Sequence, residues 1–316
     1  MGTTINPMTG PGIPLETLRI VTPLGIQFWD LTLNQPITGG LTVNLWLANS
    51  AGPVLNAVLT NAGVYAFFGL PGLRAVEYPE STQEGSIASP PQTFTYIVTV
   101  QDTLGFFLPA VLVYTLDQTG TVLVNGEPDP TPGPRTAYLF SAPTRTAPAG
   151  VAAVSAYLID QVANAPAAWA LVTIQVGSDP ETWTGIADDS GRALVLVPYP
   201  IAQNLILGSP PGTGQGNIAG ETWPLTIHVQ YSPDQLTYPL ANASDVLYPW
   251  TVTPNLKDIL SNQQPATIWS DPLTPVTTFQ ATLTLGQDLV LRSATTTASP
   301  VSYASSLNIS RGTSPV

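Results

Sequence analysis

The spacing of proline limits what this chain can fold into more than any other feature. The sequence of 316 residues contains 33 prolines, so one falls about every ten positions. Proline removes a backbone donor and clashes with the preceding helical turn, and 26 glycines interrupt the chain further. A helix of the usual length, about 11–12 residues, therefore rarely fits. The pattern argues against a helical bundle and against a doubly wound nucleotide-binding fold.

The composition is that of a folded chain with few charges. Hydrophobic residues make up 44%, enough to build a core. Charged residues make up only 9%, against about 25% in an ordinary soluble domain. At about 150 residues per domain, the length suggests two domains and a tail.

Charge and cysteine content exclude several classes of partner and chemistry. Eight basic and twenty acidic residues give a net charge of −12, which disfavours nucleic acid and anionic lipid as partners. The absence of cysteine excludes disulfides, thiolate metal sites and cysteine nucleophiles. No apolar stretch approaches 18 residues, and the first residues, MGTTINPMTGPGIP, have no signal-peptide pattern. We therefore expect neither a transmembrane segment nor a secretion signal.

Short runs rich in β-branched and aromatic residues, bounded by proline, glycine, asparagine and aspartate, predict strands. Two sets of about seven short strands suit two β-sandwiches. The fold class predicted is all-β, with two tandem antiparallel sandwiches of the transthyretin or immunoglobulin type, followed by a short helix and a β-hairpin. The predicted strands are 18–21, 25–30, 41–46, 54–59, 64–68, 94–100 and 107–116, then 151–159, 170–176, 182–186, 193–197 and 225–231.

An internal repeat supports the two sandwiches. Residues 26–71 and 154–198 share an aspartate at the end of a strand, a proline six positions later, and a glycine-containing turn about thirty positions on. Proline starts a strand outside the ladder, and glycine supplies the positive φ of a hairpin. The paired features are Asp30 with Pro36 and the turn 61–63, and Asp160 with Pro166 and the turn 189–191. Residues 152–165 also fit helical spacing, but the repeat favours a strand there.

The remaining segments are predicted from composition. A run with four prolines and two glycines, VNGEPDPTPGPR, is typical of an extended linker. Beyond residue 250, we predict a helix over 254–264 capped by Thr253, a hairpin over 279–293 that turns at 286–288, and an arm from 293 that orders only against a neighbour. The expected division is an arm at 1–14, sandwiches at 15–118 and 134–250, a linker at 119–133 and an extension at 251–316.

No residue pattern predicts a catalytic, cofactor-binding or metal site. The single histidine, His228, lies in an alternating strand without a GxSxG nucleophile elbow, which favours a half-exposed strand residue over a catalytic base. The carboxylates Asp188 and Asp189, and those between Asp179 and Glu181, lie in predicted turns, where aspartate is common. The glycine-rich run 208–220 precedes a strand pattern rather than the helix that a phosphate loop requires. Binding of sugar or calcium by a sandwich loop stays open.

Hydrophobic side chains after the second sandwich are the candidates for contacts with a partner. Five tryptophans lie in or beside predicted strands, so a core position is expected for Trp29, Trp46, Trp169, Trp183 and Trp223. The predicted interface residues are Trp250, Leu256, Leu260, Trp269, Leu283 and Leu285.

Two resemblances add to this interpretation. LTNAGVYAFFGLPGL (59–73) is similar to the hairpin of transthyretin-like or carboxypeptidase-regulatory-like sandwiches, and IADDSGRALVLVP (186–198) resembles the same hairpin. This likeness implies a fold and not an activity.

An ordered series of strings resembles uncharacterised proteins encoded with phage-tail-like contractile injection systems. The resemblance implies a non-enzymatic structural subunit at or near the baseplate, repeated by particle symmetry and assembled in the cytoplasm. Its partners would be other subunits of the particle, which is either released or attached to a membrane. The alternative function is that of a secreted sugar-binding or adhesion module, and a third alternative is a hydrolase. The strings are FFGLPGLRAVEYPE (67–80), QDTLGFFLPAVLVY (101–114), YLFSAPTRTAPAG (138–150), APAAWALVTIQV (165–176) with DSGRALVLVPYP (189–200), and LTLGQDLVLRS (283–293).

Overall fold

The described part of the protein is mostly β-structure, as the sequence predicts, with 49% of its residues in strands and 7% in helices. Neither of the two α-helices in the described residues is long enough to cross a membrane. The computed structural model describes residues 21–50, 53–78, 92–131, 133–200, 221–242, 249–294 and 302–312. The predicted arm at 1–14, nearly all of the predicted strand 18–21 and the glycine-rich run 208–220 lie outside the described residues.

Two sheets enclose the first core. One has the strand order β11-β1-β6-β5, with β2 also paired to β1, and the other has the order β10-β9-β8-β7-β3-β4. Their inner faces meet in one cluster that includes Phe28, Leu45 and Tyr96. The elements are β1 (Leu24–Asp30), β2 (Gln35–Pro36), β3 (Leu41–Leu47), β4 (Leu55–Asn56), β5 (Val58–Leu59), β6 (Tyr65–Phe67), α1 (Arg74–Glu77), β7 (Thr93–Asp102), β8 (Ala110–Asp117), β9 (Val122–Val124), β10 (Glu127–Pro128) and β11 (Arg135–Leu139).

Two further sheets enclose the second core. The larger has the order β13-β12-β22-β18-β19, with β16 and β21 also paired to β12, and the smaller has the order β15-β14-β17-β20. The elements are β12 (Val151–Asp160), β13 (Ala165–Pro166), β14 (Leu171–Val176), β15 (Thr182–Ile186), β16 (Arg192–Pro198), β17 (Thr222–Gln230), α2 (Leu256–Ser261), β18 (Thr267–Asp271), β19 (Thr274–Val276), β20 (Phe279–Thr284), β21 (Leu289–Leu291) and β22 (Leu307–Ser310).

Alternating burial explains why the main strands form. Every second residue of β1 is buried, and β12 shows the same alternation over its ten residues. Val154, Ala156 and Leu158 therefore face one core, which is the pattern of a strand with period two. The strand prediction for this alanine-rich segment is confirmed through Asp160, and the helical spacing there has no structural counterpart.

The internal repeat extends to individual hydrogen bonds. The Oδ1 atoms of Asp30 and Asp160 each accept from the backbone N–H groups two and three residues on, at 2.9 and 3.2 Å in both copies. Asn34 and Asn164 then take the left-handed conformation, with φ of 48° and 49°, which asparagine tolerates better than most residues. The two copies thus share the turn that follows their first strand.

The second feature of the repeat also holds. Gly63 and Gly191 have φ of 74° and 79°, and each donates its N–H to a carbonyl three residues earlier, Thr60 at 3.0 Å and Asp188 at 3.1 Å. The positive φ explains why glycine occupies both positions.

The segment predicted to be a linker, 119–133, contributes two strands to a sheet. β9 pairs with β8, and β10 pairs with β9, so both extend the six-stranded sheet. β11 follows and pairs in parallel with β1, which assigns residues 135–139 to the first sandwich. Proline is compatible with this placement because Pro128 lies in the outermost strand, where a missing donor breaks no ladder.

The strands of the extension after residue 250 pair within this chain, as part of the second sandwich. The prediction placed a hairpin over 279–293, but β20 pairs with β17 in one sheet and β21 pairs with β12 in the other. The C-terminal hairpin is instead β18–β19. The arm contributes β22, which pairs with β12 and β18. These pairings join residues far apart in sequence, and composition gives no sign of them.

Two local boundaries also differ from the prediction. α2 begins after Asn255, whose side chain accepts from the N–H of Lys257 at 3.3 Å, whereas the hydroxyl of Thr253 donates to the carbonyl of Pro249 at 2.8 Å. The predicted strand 54–59 divides at Ala57, whose N–H donates to Val43 of the six-stranded sheet. The chain thereby passes from β4 in one sheet to β5 in the other.

Candidate interaction surfaces

The single histidine is placed on an outer sheet face. His228 is exposed on β17 and lies opposite Thr173 of β14. Neither the strand position nor the cross-strand neighbour provides a nucleophile and an orienting carboxylate, which a catalytic histidine needs. This geometry agrees with the interpretation of an ordinary strand residue.

The predicted turn carboxylates serve the turns. Asp188 Oδ1 accepts from the N–H of Ser190 at 2.9 Å and from the N–H of Arg192 at 2.8 Å, and Asp179 Oδ1 accepts from the N–H of Glu181 at 3.0 Å. These bonds are the local turn chemistry that favours aspartate. Within the described ranges, no group of three or more His, Cys, Asp or Glu residues is arranged to hold a metal ion.

The six predicted interface residues are dispersed. Leu256 and Leu283 are buried in the protein's own cores, so they are core residues and not available to a partner. Trp250 is half-buried against a small cluster formed by Ile97, Val111 and Leu240.

The other three predicted interface residues lie on separate elements. Trp269 is half-buried on β18, and its indole N–H donates to Ser310 Oγ at 3.1 Å. Leu285, after β20, is half-buried, and Leu260 on α2 is exposed. The structure therefore does not gather these six residues into one patch.

An apolar contact joins the two sandwiches. The core cluster of the first sandwich continues into side chains that belong to the second sandwich and α2. The space left at this contact is about 10 Å³, no larger than one water molecule needs. We call this contact the seam; its members from the second sandwich and α2 are Trp169, Leu171, Ile186, Leu236, Leu256 and Ile259.

Trp169 reaches the seam through a strained backbone. Its φ is 63°, and its side chain is buried. A bulky residue in the left-handed region costs about 1–3 kcal/mol and persists only where the surroundings hold it there. Buried Gln263 provides such support, because its Nε2 donates to the Trp169 carbonyl at 2.5 Å and its Oε1 accepts from the N–H of Ser232 at 2.9 Å.

A buried ion pair fixes the connection between the sandwiches. Arg145, in the segment between β11 and β12, donates to both carboxylate oxygens of Asp30, at 3.2 and 2.5 Å, and to Ser141 Oγ at 3.1 Å. Its guanidinium lies 4.9 Å from the ring centroid of Phe107. The side chains of Arg145 and Asp30 are only 8% and 5% exposed. We call this pair the latch, because it ties the connecting segment to the end of β1.

The second sandwich has a looser counterpart of the latch. Arg311 Nε lies 3.8 Å from Asp160 Oδ2, and the Arg311 side chain is 48% exposed and also bonds Asp234. Sequence reasoning identified both aspartates but neither arginine. The latch partners stand 115 positions apart, so no short spacing could indicate the pair.

The latch forms the floor of a cleft of about 380 Å³. Leu33 and Phe106 line its rim and are exposed. Because Asp30 and Arg145 neutralise one another, the floor favours neither an anion nor a cation. The cleft therefore offers apolar contact more than charge recognition.

Comparison with known proteins does not identify the chain. No protein-family model and no curated protein matches the sequence. Two solved structures resemble parts of the fold weakly. A leucine-rich repeat protein from Bacteroides thetaiotaomicron has a TM-score of 0.19 and 10% identity, covering 85% of this chain and 25% of its own. A candidate adhesin from Bacteroides ovatus has a TM-score of 0.17 and 9% identity, covering 72% of this chain and 78% of its own.

Proposed function

We propose that the protein is a non-enzymatic structural subunit of a phage-tail-like contractile injection particle, at the baseplate or its periphery. The observation that supports this proposal is the seam together with the latch. The seam packs the two sandwiches against one another, and the latch ties the connecting segment to β1. A subunit that is repeated by symmetry needs its domains held together in this way. The assignment to a contractile injection particle is based on the sequence resemblance.

The positions of the turn carboxylates and the low charge content agree with a role in protein–protein contacts. In the turns described above, Asp30, Asp160, Asp179 and Asp188 accept from backbone N–H groups, as turn aspartates commonly do. Only 9% of residues are charged, so few charges lose their hydration when surfaces of this chain meet other subunits. In this proposal the chain assembles in the cytoplasm with other particle subunits, and any membrane attachment occurs through the particle.

The test is the copy number of the protein in purified particles. Particles from the source organism are separated from free protein by sedimentation, and the chain is quantified by mass spectrometry against sheath and tube subunits. We expect a fixed ratio of small whole numbers that is restored when a deletion strain is complemented. Absence from the particles contradicts the proposal, and binding of the free protein to a glycan array would then favour the adhesion alternative.

A further inference from the structure

The outer strands of this fold carry visible protection against pairing with another chain. Natural sheet edges are commonly blocked by proline or by charged residues, because an open edge presents unpaired N–H and C=O groups. Four short outer strands of the described residues, β2, β10, β13 and β19, contain proline. These residues are Pro36, Pro128, Pro166 and Pro275.

Two edges of the described residues have neither proline nor a charged residue in their strands or directly beside them. One is β20, whose exposed side chains are the polar Gln280 and Thr282. The other is apolar. β5 ends the five-stranded sheet and β4 ends the six-stranded sheet, so residues 54–59 close one side of the first sandwich. These residues include no proline, and no charged residue occurs anywhere from 31 to 73. We call residues 54–59 together with Phe68 the β4–β5 edge.

The side chains of the β4–β5 edge are apolar and exposed. Val58 and Leu59 on β5 are 54% and 40% exposed, and Val54 and Phe68 are also exposed. An unblocked strand with exposed apolar side chains is the type of edge that accepts a strand from another chain.

The second copy of the repeat provides an internal comparison. There, the segment before the equivalent turn is β15, which ends the four-stranded sheet. Asp179, Pro180 and Glu181 precede β15 and are exposed. A proline precedes the edge in both sandwiches, Pro53 in the first and Pro180 in the second, but only the second adds two carboxylates.

We propose that the β4–β5 edge is the contact between two copies of this chain, which pair edge to edge about a two-fold axis. With a net charge of −12, two copies repel one another, and a charge-free edge is where they approach at least cost. The surface that matches an uncharged apolar edge is another such edge, and a two-fold axis supplies it from the same residues. This inference goes beyond the proposed function and does not depend on the particle.

Sedimentation velocity of the full-length chain tests the pairing. From about 1 µM to about 1 mM, we expect a monomer–dimer equilibrium that strengthens with salt, because salt screens the repulsion between acidic copies. Val58→Lys places two like charges at the contact and should weaken the dimer by at least about tenfold. The matched control is Leu273→Lys, in the β18–β19 turn, where the side chain is 81% exposed; it should leave the equilibrium unchanged.

Cysteine crosslinking separates loss of contact from loss of folding. Because the chain has no cysteine, Val58→Cys and Leu59→Cys each introduce a single thiol. At least one of them should form an oxidised dimer much faster than Leu273→Cys. A wild-type chain that stays monomeric over the whole range overturns the proposal. Equal effects of Val58→Lys and Leu273→Lys, or equal crosslinking at all three positions, do so as well.

Discussion

Replacing Arg145 by methionine tests whether the latch stabilises the first sandwich. Methionine retains an unbranched apolar stem but leaves the Asp30 carboxylate buried without its cation. Removing one partner of a buried ion pair typically costs about 3–5 kcal/mol. Asp30 still accepts two backbone N–H bonds, so the lower end, about 3 kcal/mol, is expected.

The control is the half-exposed arginine of the other sandwich. Arg311 is 48% exposed and lies 3.8 Å from the buried Asp160, so water reaches this cation and its loss in Arg311→Met should cost less, about 1 kcal/mol. With about 2–4 °C per kcal/mol for a unit of 150–250 residues, Arg145→Met should lower the melting temperature by about 6–12 °C.

Calorimetry and guanidinium unfolding of the two variants beside wild type provide the measurement. The double variant Asp30→Asn with Arg145→Met should recover part of the loss, because no buried charge is then left unpaired. If Arg145→Met melts within about 2 °C of wild type, or if Arg311→Met is the more damaging, the latch does not act as described.

Four further predictions concern the seam, a turn, the C-terminal strands and one tyrosine. Trp169→Ala should cost about 3–5 kcal/mol and divide unfolding, which we expect to be one transition in the wild type, into two as the sandwiches uncouple; one unchanged transition would argue against the seam. Gly63→Val should destabilise by about 1–3 kcal/mol because φ is positive there, whereas Gly39→Val, where an added Cβ meets nothing within 4 Å, should be mild; equal melting temperatures would contradict the turn. Deleting residues 265–316 should unfold the second sandwich, seen as insolubility or lost β-sheet circular dichroism, while deleting only 313–316 should not; a soluble folded truncation would refute the assigned sheet membership. Burial, with a smaller effect of the nearby Glu77 charge, raises the pKa of Tyr96 from 10.0 to about 12, so the folded state keeps its proton while the unfolded state loses it. Stability should therefore fall as pH rises from 10.0 to about 12, and less steeply in Tyr96→Phe, as measured by urea unfolding; identical pH profiles would count against this assignment.

Local signals in the sequence accounted for much of the fold. The repeated spacing of Asp30 to Pro36 and of Asp160 to Pro166 predicted the strand after residue 150 and the two equivalent turns. The turns were predictable because a turn depends on a few consecutive residues. The predicted strand 182–186 coincides with β15. These features need no knowledge of distant partners.

Strand pairings between residues far apart in sequence explain most of the differences between the predicted and the observed fold. β12 pairs in parallel with β21 and β22, which come from segments that composition assigned to a hairpin and an arm. The same limit applies to the seam, since the sequence around Trp169 does not indicate a left-handed backbone. The interface prediction failed for Leu256 and Leu283 because hydrophobicity alone does not distinguish a core from a contact surface.

We propose that this chain is a building block repeated in a contractile injection particle. A density map of the purified native particle tests this proposal. We expect density for both sandwiches in every symmetry-related copy, with the same relative orientation held by the seam and the latch. A particle map without this chain, or with the two sandwiches in different relative orientations among copies, would contradict it.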